Sequence, residues 1–179
     1  PFRLGQGMLT DDGLFNDVVY NLCNSNGFAR LVSENYLAPV IPRHTETALN
    51  TQGVAINSGE FVLNQLQEAV NIPAVTQAAL REVCHYGQDR RSWLVFCSGI
   101  EHAENCAAVL NAMGVPCGSV HSKMSDGERD RTINAYRSGE LRAITNNNVL
   151  TTGFDHPATD LIAMLRPTMS PGLWVQMLG

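Results

Sequence analysis

From Ser92 onward the chain keeps a strand–helix beat, and no other feature narrows its fold as much. Trp93-Leu-Val-Phe-Cys97 is an unbroken apolar run, the pattern of a strand buried on both faces. Ser98-Gly99 turns the chain. Residues 100–113 are expected to be helical, with Ala103, Ala107, Val109 and Leu110 inward and Gly114 closing the helix. Residues 115–120 form a second strand. Ser125-Asp-Gly-Glu128 is a capping-box string that opens a helix to Tyr136, ended by Ser138-Gly139. Residues 141–145 and 160–166 supply a third and a fourth strand, and a last helix starts near Pro171-Gly172. Such alternation implies a parallel sheet with right-handed crossovers and helices on both faces. Ligands of these sheets sit at the carboxyl ends of the strands, so the loops after the strands are where chemistry is expected.

The upstream part is less regular. Phe15, Val18, Val19 and Leu22 suit a short strand, and Phe28-Ala-Arg-Leu-Val32 suits one or two helical turns. Residues 35–42 read as extended, because residues before proline avoid the α region. Residues 44–57 are polar, without a clear period, and read as a loop or weak edge strand. A helix is expected from Ser58 to Val70, with Phe61, Leu63, Leu66, Ala69 and Val70 on its apolar face. Asn71 is the expected cap of a second helix, with Pro73 in its first turn. That helix runs to Tyr86 with Ile72, Val75, Ala79 and Val83 on one face, and Gly87 stops it. The expected division is a small α/β segment over 1–87 and an α/β unit over 88–179.

Length and composition set limits. The 179 residues suit one domain or one and a half, and 44% hydrophobic content is enough for a core. No apolar run nears the roughly 18 residues of a membrane span, and no signal peptide stands at the start. The five cysteines are odd in number and form no C-x-x-C pair. That argues against zinc and for a reduced, cytoplasmic setting, with most cysteines as small core residues. The net charge of −5 is unlike the basic balance of strong nucleic-acid binders, so any such affinity needs a local groove.

Three loops carry candidate chemistry. Ser98-Gly99-Ile100-Glu101-His102 offers a hydroxyl and backbone N–H groups at a helix start, which suits an anion; it also reads as a plain turn capped by Ser98, with His102 a solvated helix residue. Val120-His-Ser-Lys-Met-Ser125 can hold a phosphate through Ser122, Lys123 and Ser125, or Ser125 is only a cap and Lys123 is solvated. Val149-Leu-Thr-Thr-Gly-Phe-Asp-His-Pro157 places two hydroxyls, a glycine and a carboxylate between apolar strands. Thr151 and Thr152 suit a phosphate. Gly153 allows close backbone approach, and Asp155 suits a ribose hydroxyl or a turn cap.

Thr151-Thr-Gly-Phe-Asp155 with Pro157, then the strand ending Arg166-Pro167, then Gln176-Met-Leu-Gly179, resembles motif V and the opening of motif VI of superfamily 2 helicases. The likeness is to the RadD and restriction-subunit branch of the DEAD/DEAH-type DNA helicases. Pro1-Phe-Arg-Leu-Gly5 is similar to the string that follows motif III there. The specific motifs lie in residues 92–179 and 1–5; residues 11–87 match only in general character. The resemblance implies the RecA-like C-terminal helicase lobe, preceded by the tail of the first lobe and a linker. It implies that Ser98, Gly99, Ser122, Lys123, Thr151 and Thr152 face the nucleic-acid backbone, and that Gly153, Asp155, Gln176 and Gly179 face an ATP cleft. In the family the last helix continues to arginines that stabilise the transferring phosphate; this sequence stops before the first of them.

The sequence holds neither G-x-x-x-x-G-K-[ST] nor a D-E-x-H string, the parts that hold ATP and Mg. The expectation is therefore a piece of an ATP-dependent DNA helicase that is inactive by itself, with DNA preferred to RNA as partner, a first motor lobe as the other, and no catalytic residue or metal ligand of its own. The alternative is a non-catalytic nucleic-acid-binding or interaction module on the same fold, which the acidic balance fits.

Overall fold

A computed structural model describes residues 2–3, 6–7, 24–151 and 153–178. The chain divides into two compact units, Pro1–His44 and Thr45–Gly179. In the first, strand β1 (Phe2–Arg3) pairs antiparallel with β2 (Gln6–Gly7), and helix α1 spans Ser25–Ser33. Asn24 starts α1 because its side-chain oxygen accepts from the Gly27 amide at 2.8 Å. Arg30 pairs with Glu34 one turn on at 2.8 Å, and Asn35 follows with φ 61°. The strand expected over Phe15–Leu22, together with Leu4, Gly5 and Cys23, lies outside the described residues.

The second unit opens with a tight hairpin. Strand β3 (Ile56–Asn57) pairs with β4 (Glu60–Phe61) across Ser58-Gly59. Both turn residues have positive φ, 49° and 80°, the backbone that a two-residue hairpin of this twist requires. This corrects the helix expected from Ser58: the turn residues break it, and helix α2 spans only Leu63–Val70. Helix α3 is Pro73–Tyr86, with Pro73 at its first position and Ile72 as cap. Asn71, expected from sequence to cap it, instead closes α2. The inward face of α3 is Thr76, Ala79 and Leu80, whereas Ile72 is exposed. Helix α3 packs into the core of this unit.

Four parallel strands make the sheet: β5 (Trp93–Cys97), β6 (Cys117–His121), β7 (Ala143–Asn147) and β8 (Leu161–Leu165), in the order β6-β7-β5-β8. Helix α4 (Ile100–Ala112) joins β5 to β6, and α5 (Asp126–Arg137) joins β6 to β7. A loop joins β7 to β8, and α6 (Pro171–Leu178) follows β8. The capping box at Ser125 and Glu128 is formed in both directions.

The strand period of two sorts the core into two layers. Trp93, Val95 and Cys97 point to one face, where they meet Ala79 and Leu80 of α3 and Ala103, Cys106, Ala107 and Leu110 of α4. Leu94 and Phe96 point to the other, against Tyr136 of α5 and Met177 of α6. Every residue of β5 is buried, as its unbroken apolar run predicted. Gly87 follows α3 with φ −91°, so its role is space: a Cβ there would lie 2.4 Å from the Trp93 ring.

Candidate functional site

A parallel sheet puts every strand's carboxyl end on one edge. That edge here carries, in spatial order, the loop after β6 (Ser122–Ser125), the loop after β7 (Asn148–Pro157), the Ser98-Gly99 turn and the loop after β8 (Arg166–Ser170). Side-chain hydrogen bonds tie neighbouring loops together. Asn147 donates to the Cys97 carbonyl at 3.2 Å, and Asn146 to the Val95 carbonyl at 3.1 Å. The Ser98 hydroxyl donates to the Leu165 carbonyl at 3.1 Å. Arg166 reaches past the end of β5 to donate to the Asn148 side-chain oxygen. Asn146 and Asn147 can be buried at the end of β7 because their amides find these carbonyl partners on β5.

The loop after β7 shows how the Gly153-Phe-Asp155 string is displayed. Phe154 and His156 turn toward α5: their rings lie 6.3 and 5.0 Å from Tyr136, and the Arg137 guanidinium sits 5.4 Å over Phe154. Burial first, then the Arg137 charge, lower the pKa of His156, which favours the neutral ring. Asp155 between them stays exposed, with its carbonyl 3.4 Å from the Arg137 guanidinium. Gly153 has φ 71°, and a Cβ there would meet nothing within 4 Å. Positive φ in open space therefore makes it a glycine position. Thr151 is half-buried beside it; Thr152 lies outside the described residues, as does Gly179.

Ser122 and Lys123 are exposed. Lys123 lines an open depression with His121, Met124, Glu128, Arg131 and Thr132. His121 Nε2 lies 3.1 Å from Glu104. Ser98 is 1% exposed, so its hydroxyl serves the tie to β8, while Gly99 is only half-buried. The Gln67 side chain of α2 lies against Gly99, where a Cβ would fall 1.6 Å from its amide oxygen. Gln176 is half-buried on α6, a helix anchored by Met177 at 1% exposure.

His102 is not the solvated residue that the sequence suggested. It is 1% exposed, and its Nδ1 accepts from the Ser98 amide at 3.3 Å. Its position one turn into α4 faces it back over the strand end, which periodicity alone does not reveal. Cys97, His102 and Cys106 bring their donor atoms within 4.8 Å of one another. The Ser98 amide already occupies the Nδ1 lone pair, so in the neutral ring the proton stands on Nε2. Hydrogen bonding from Cys97, outweighing burial, pulls the Cys106 thiol down to about 6, while burial pushes Cys97 up.

Sequence reasoning missed the acid that organises the fourth loop. Glu60, on the hairpin, accepts from the Met169 amide at 3.1 Å and from the Thr168 hydroxyl. Burial raises its pKa, but hydrogen bonds from Thr168, Phe61, Met169 and Ser170 outweigh burial and hold the pKa below its ordinary value. The signal was present as Asn57-Ser-Gly-Glu60, a hairpin turn string. Asn148 was also missed; an Asn run ending a buried strand was its only mark.

Among the described residues no helix is long and apolar enough to cross a membrane. The sequence model of the helicase conserved C-terminal domain matches residues 75–179. The chain is 24% identical over 168 residues to the putative ATP-dependent helicase IRC3 of Saccharomyces cerevisiae, covering 93% of this chain and 24% of that protein. It is 28% identical over 168 residues to the putative mitochondrial ATP-dependent helicase irc3 of Schizosaccharomyces pombe, covering 92% and 26%. The chain thus spans about a quarter of the length of these relatives. The solved structure of S. cerevisiae Dbp5 bound to RNA and ADP BeF3 shares the fold, with a TM-score of 0.53 at 22% identity over 59% of this chain and 28% of that one. With a RecA-like parallel sheet and a family match over more than half its length, the chain belongs to the helicase conserved C-terminal domain family and is the C-terminal lobe of a superfamily 2 helicase.

Proposed function

We propose that this lobe works in an ATP-dependent DNA translocase or helicase of the RadD-like branch, with residues 88–179 as the motor lobe and the preceding residues as first-lobe tail and linker. In this reading the loop edge grips the nucleic-acid backbone and, through the loop after β7 and the helix α6, also faces a nucleotide. Ser122, Lys123, Thr151, Thr152 and the Gly99 backbone hold strand phosphates, with Ser98 keeping that turn in place. Gly153, Asp155, Gln176 and Gly179 face the cleft toward a first lobe. The observation that carries the reading is the row of four loops on one sheet edge, with those after β7, β5 and β8 tied by side-chain hydrogen bonds.

The residues present suit a nucleotide. Gly153 leaves open space above a positive-φ backbone, and Asp155 is an exposed acceptor for a ribose hydroxyl. ATP, with Mg held mainly by the first lobe, supplies the free energy of phosphoryl transfer. This chain orients the bound nucleotide through Asp155 and Gln176 and transmits lobe closure to the strand through the loop that carries both Thr151 and Asp155. Translocation then follows from alternating grip tied to closure. The chain by itself is not a hydrolase. Its cysteines fit a reducing compartment, which accommodates both a cytoplasmic protein and a relative named as mitochondrial.

The test is ATP hydrolysis by the full-length protein, with and without single-stranded DNA or RNA, beside the same assay on this chain. DNA-stimulated hydrolysis in the parent and none in this chain is the expected result. Greater stimulation by RNA would overturn the DNA assignment. No hydrolysis in the parent, with nucleic acid still bound by this chain, would favour a non-catalytic binding module, which the net charge of −5 also suits.

A further inference from the structure

Glu60 lies far upstream in sequence from the loop it holds, and nothing in the helicase motifs assigns it a role. Its carboxylate starts a chain of hydrogen bonds that ends at the first turn of α6. One oxygen accepts from the Phe61 amide at 2.8 Å and the Met169 amide at 3.1 Å. The other accepts the Thr168 hydroxyl proton. With its proton committed to Glu60, the Thr168 oxygen presents a lone pair to the Ser170 amide at 3.0 Å. The Ser170 hydroxyl oxygen then accepts from the Leu173 amide at 3.2 Å, capping α6. Pro167 and Pro171 bracket the segment and stiffen it. Without the carboxylate, the Phe61 and Met169 amides and the Thr168 hydroxyl lose their acceptor.

We propose that Glu60 is a positioning residue for the helix that carries Gln176, acting through Thr168 and Ser170. It couples the hairpin before the lobe to the cleft-facing helix after β8. This rests on the motor reading for its catalytic consequence and on the hydrogen-bond chain for its structural one. A carboxamide at 60 has one acceptor oxygen, and its NH2 would face Thr168 as a donor, so the Thr168 hydroxyl loses the acceptor that fixes its orientation toward Ser170. Aspartate keeps both acceptors on a shorter stem.

The experiment uses the full-length protein with Glu60→Gln, Glu60→Asp and, as control, Glu82→Gln. Glu82 is a carboxylate that accepts two loop amides at 2.8 Å away from the strand-end loops. Hydrogen exchange is read over residues 167–173, and ATP hydrolysis as kcat against KM. Glu60→Gln is expected to speed exchange in that segment at least about tenfold. It should lower kcat by roughly ten- to a hundredfold with KM for ATP nearly unchanged. Glu60→Asp should recover part of both, and Glu82→Gln should change neither. Unchanged exchange in Glu60→Gln would overturn the proposal; so would faster exchange with an unchanged kcat. An inactive wild-type parent would instead sink the motor reading, and the exchange result would still decide whether Glu60 holds the loop.

Discussion

Arg166 donates through its guanidinium to the side-chain oxygen of Asn148, joining the loops after β8 and β7 across the end of the strand that separates them. Arg166 is 6% exposed, and Asn148 sits in the left-handed region at φ 58°. Burial lowers the pKa of Arg166, and the Glu60 charge partly offsets this. A buried guanidinium needs such acceptors, and an asparagine tolerates the left-handed backbone that aims its amide. The same loops carry the proposed nucleotide and strand contacts, so this link sets their spacing.

Asn148→Gly should keep the backbone and remove the acceptor, at a cost of about 1–3 kcal/mol from the unpaired buried guanidinium. Asn148→Val should cost more, because a β-branched residue resists positive φ. Urea unfolding of this chain checks the order; equal losses would mean that the backbone conformation is unimportant.

Asp155→Ala in the full-length protein should lower ATP hydrolysis while leaving the thermal midpoint unchanged, since Asp155 is exposed and only its carbonyl is engaged. An unchanged rate would remove Asp155 from the cleft.

The pH dependence of stability should carry a mark of Glu60. Its folded-state pKa is held below the ordinary 4.5. The unfolded chain therefore binds its proton first as pH falls. The contribution is complete above the ordinary value and is lost as pH drops through the folded one. Chemical denaturation from about pH 3 to about pH 7 should show wild type more stable than Glu60→Gln at neutral pH, with the gap closing below pH 4.5. A gap that widens in acid would contradict the assignment.

Gly99→Ala should destabilise by about 1–3 kcal/mol, because the new methyl would meet Gln67 rather than open space. The φ of −164° is ordinary extended backbone, so the cost is steric. Gln67→Ala in the same chain should therefore remove most of it. A double variant no more stable than Gly99→Ala would show that the backbone, not Gln67, sets the cost.

Arg142 lies 4.6 Å over the Trp93 ring and donates to the carbonyls of Gly87, Gln88 and Arg90 at 2.6–2.9 Å. Arg142→Lys should lose about 1–3 kcal/mol, since an ammonium cannot reproduce a planar fork that stacks and donates together. A lysine variant as stable as wild type in urea unfolding would refute the clamp.

The sequence by itself determined the parallel sheet. Buried strands must be continuously apolar and their crossover helices must be amphipathic, so β5 through β8 and α4 and α5 were legible with ends shifted by a few residues. It also determined which loops end strands, and Thr151–Pro157 with Arg166-Pro167 and Gln176–Gly179 carried the family resemblance that pointed to the lobe. What local pattern could not register was decided by contacts distant in sequence. Ser58 and Gly59 look compatible with a helix start until both take positive φ and bring Glu60 to a loop after β8. His102 reads as a surface residue until α4 docks and turns it over the end of β5. Ser98 reads as an anion ligand until β8 pairs beside β5 and its carbonyl takes the hydroxyl. In each case a polar group had several possible partners in the unfolded chain, and only burial, which makes an unpaired polar group costly, selected one.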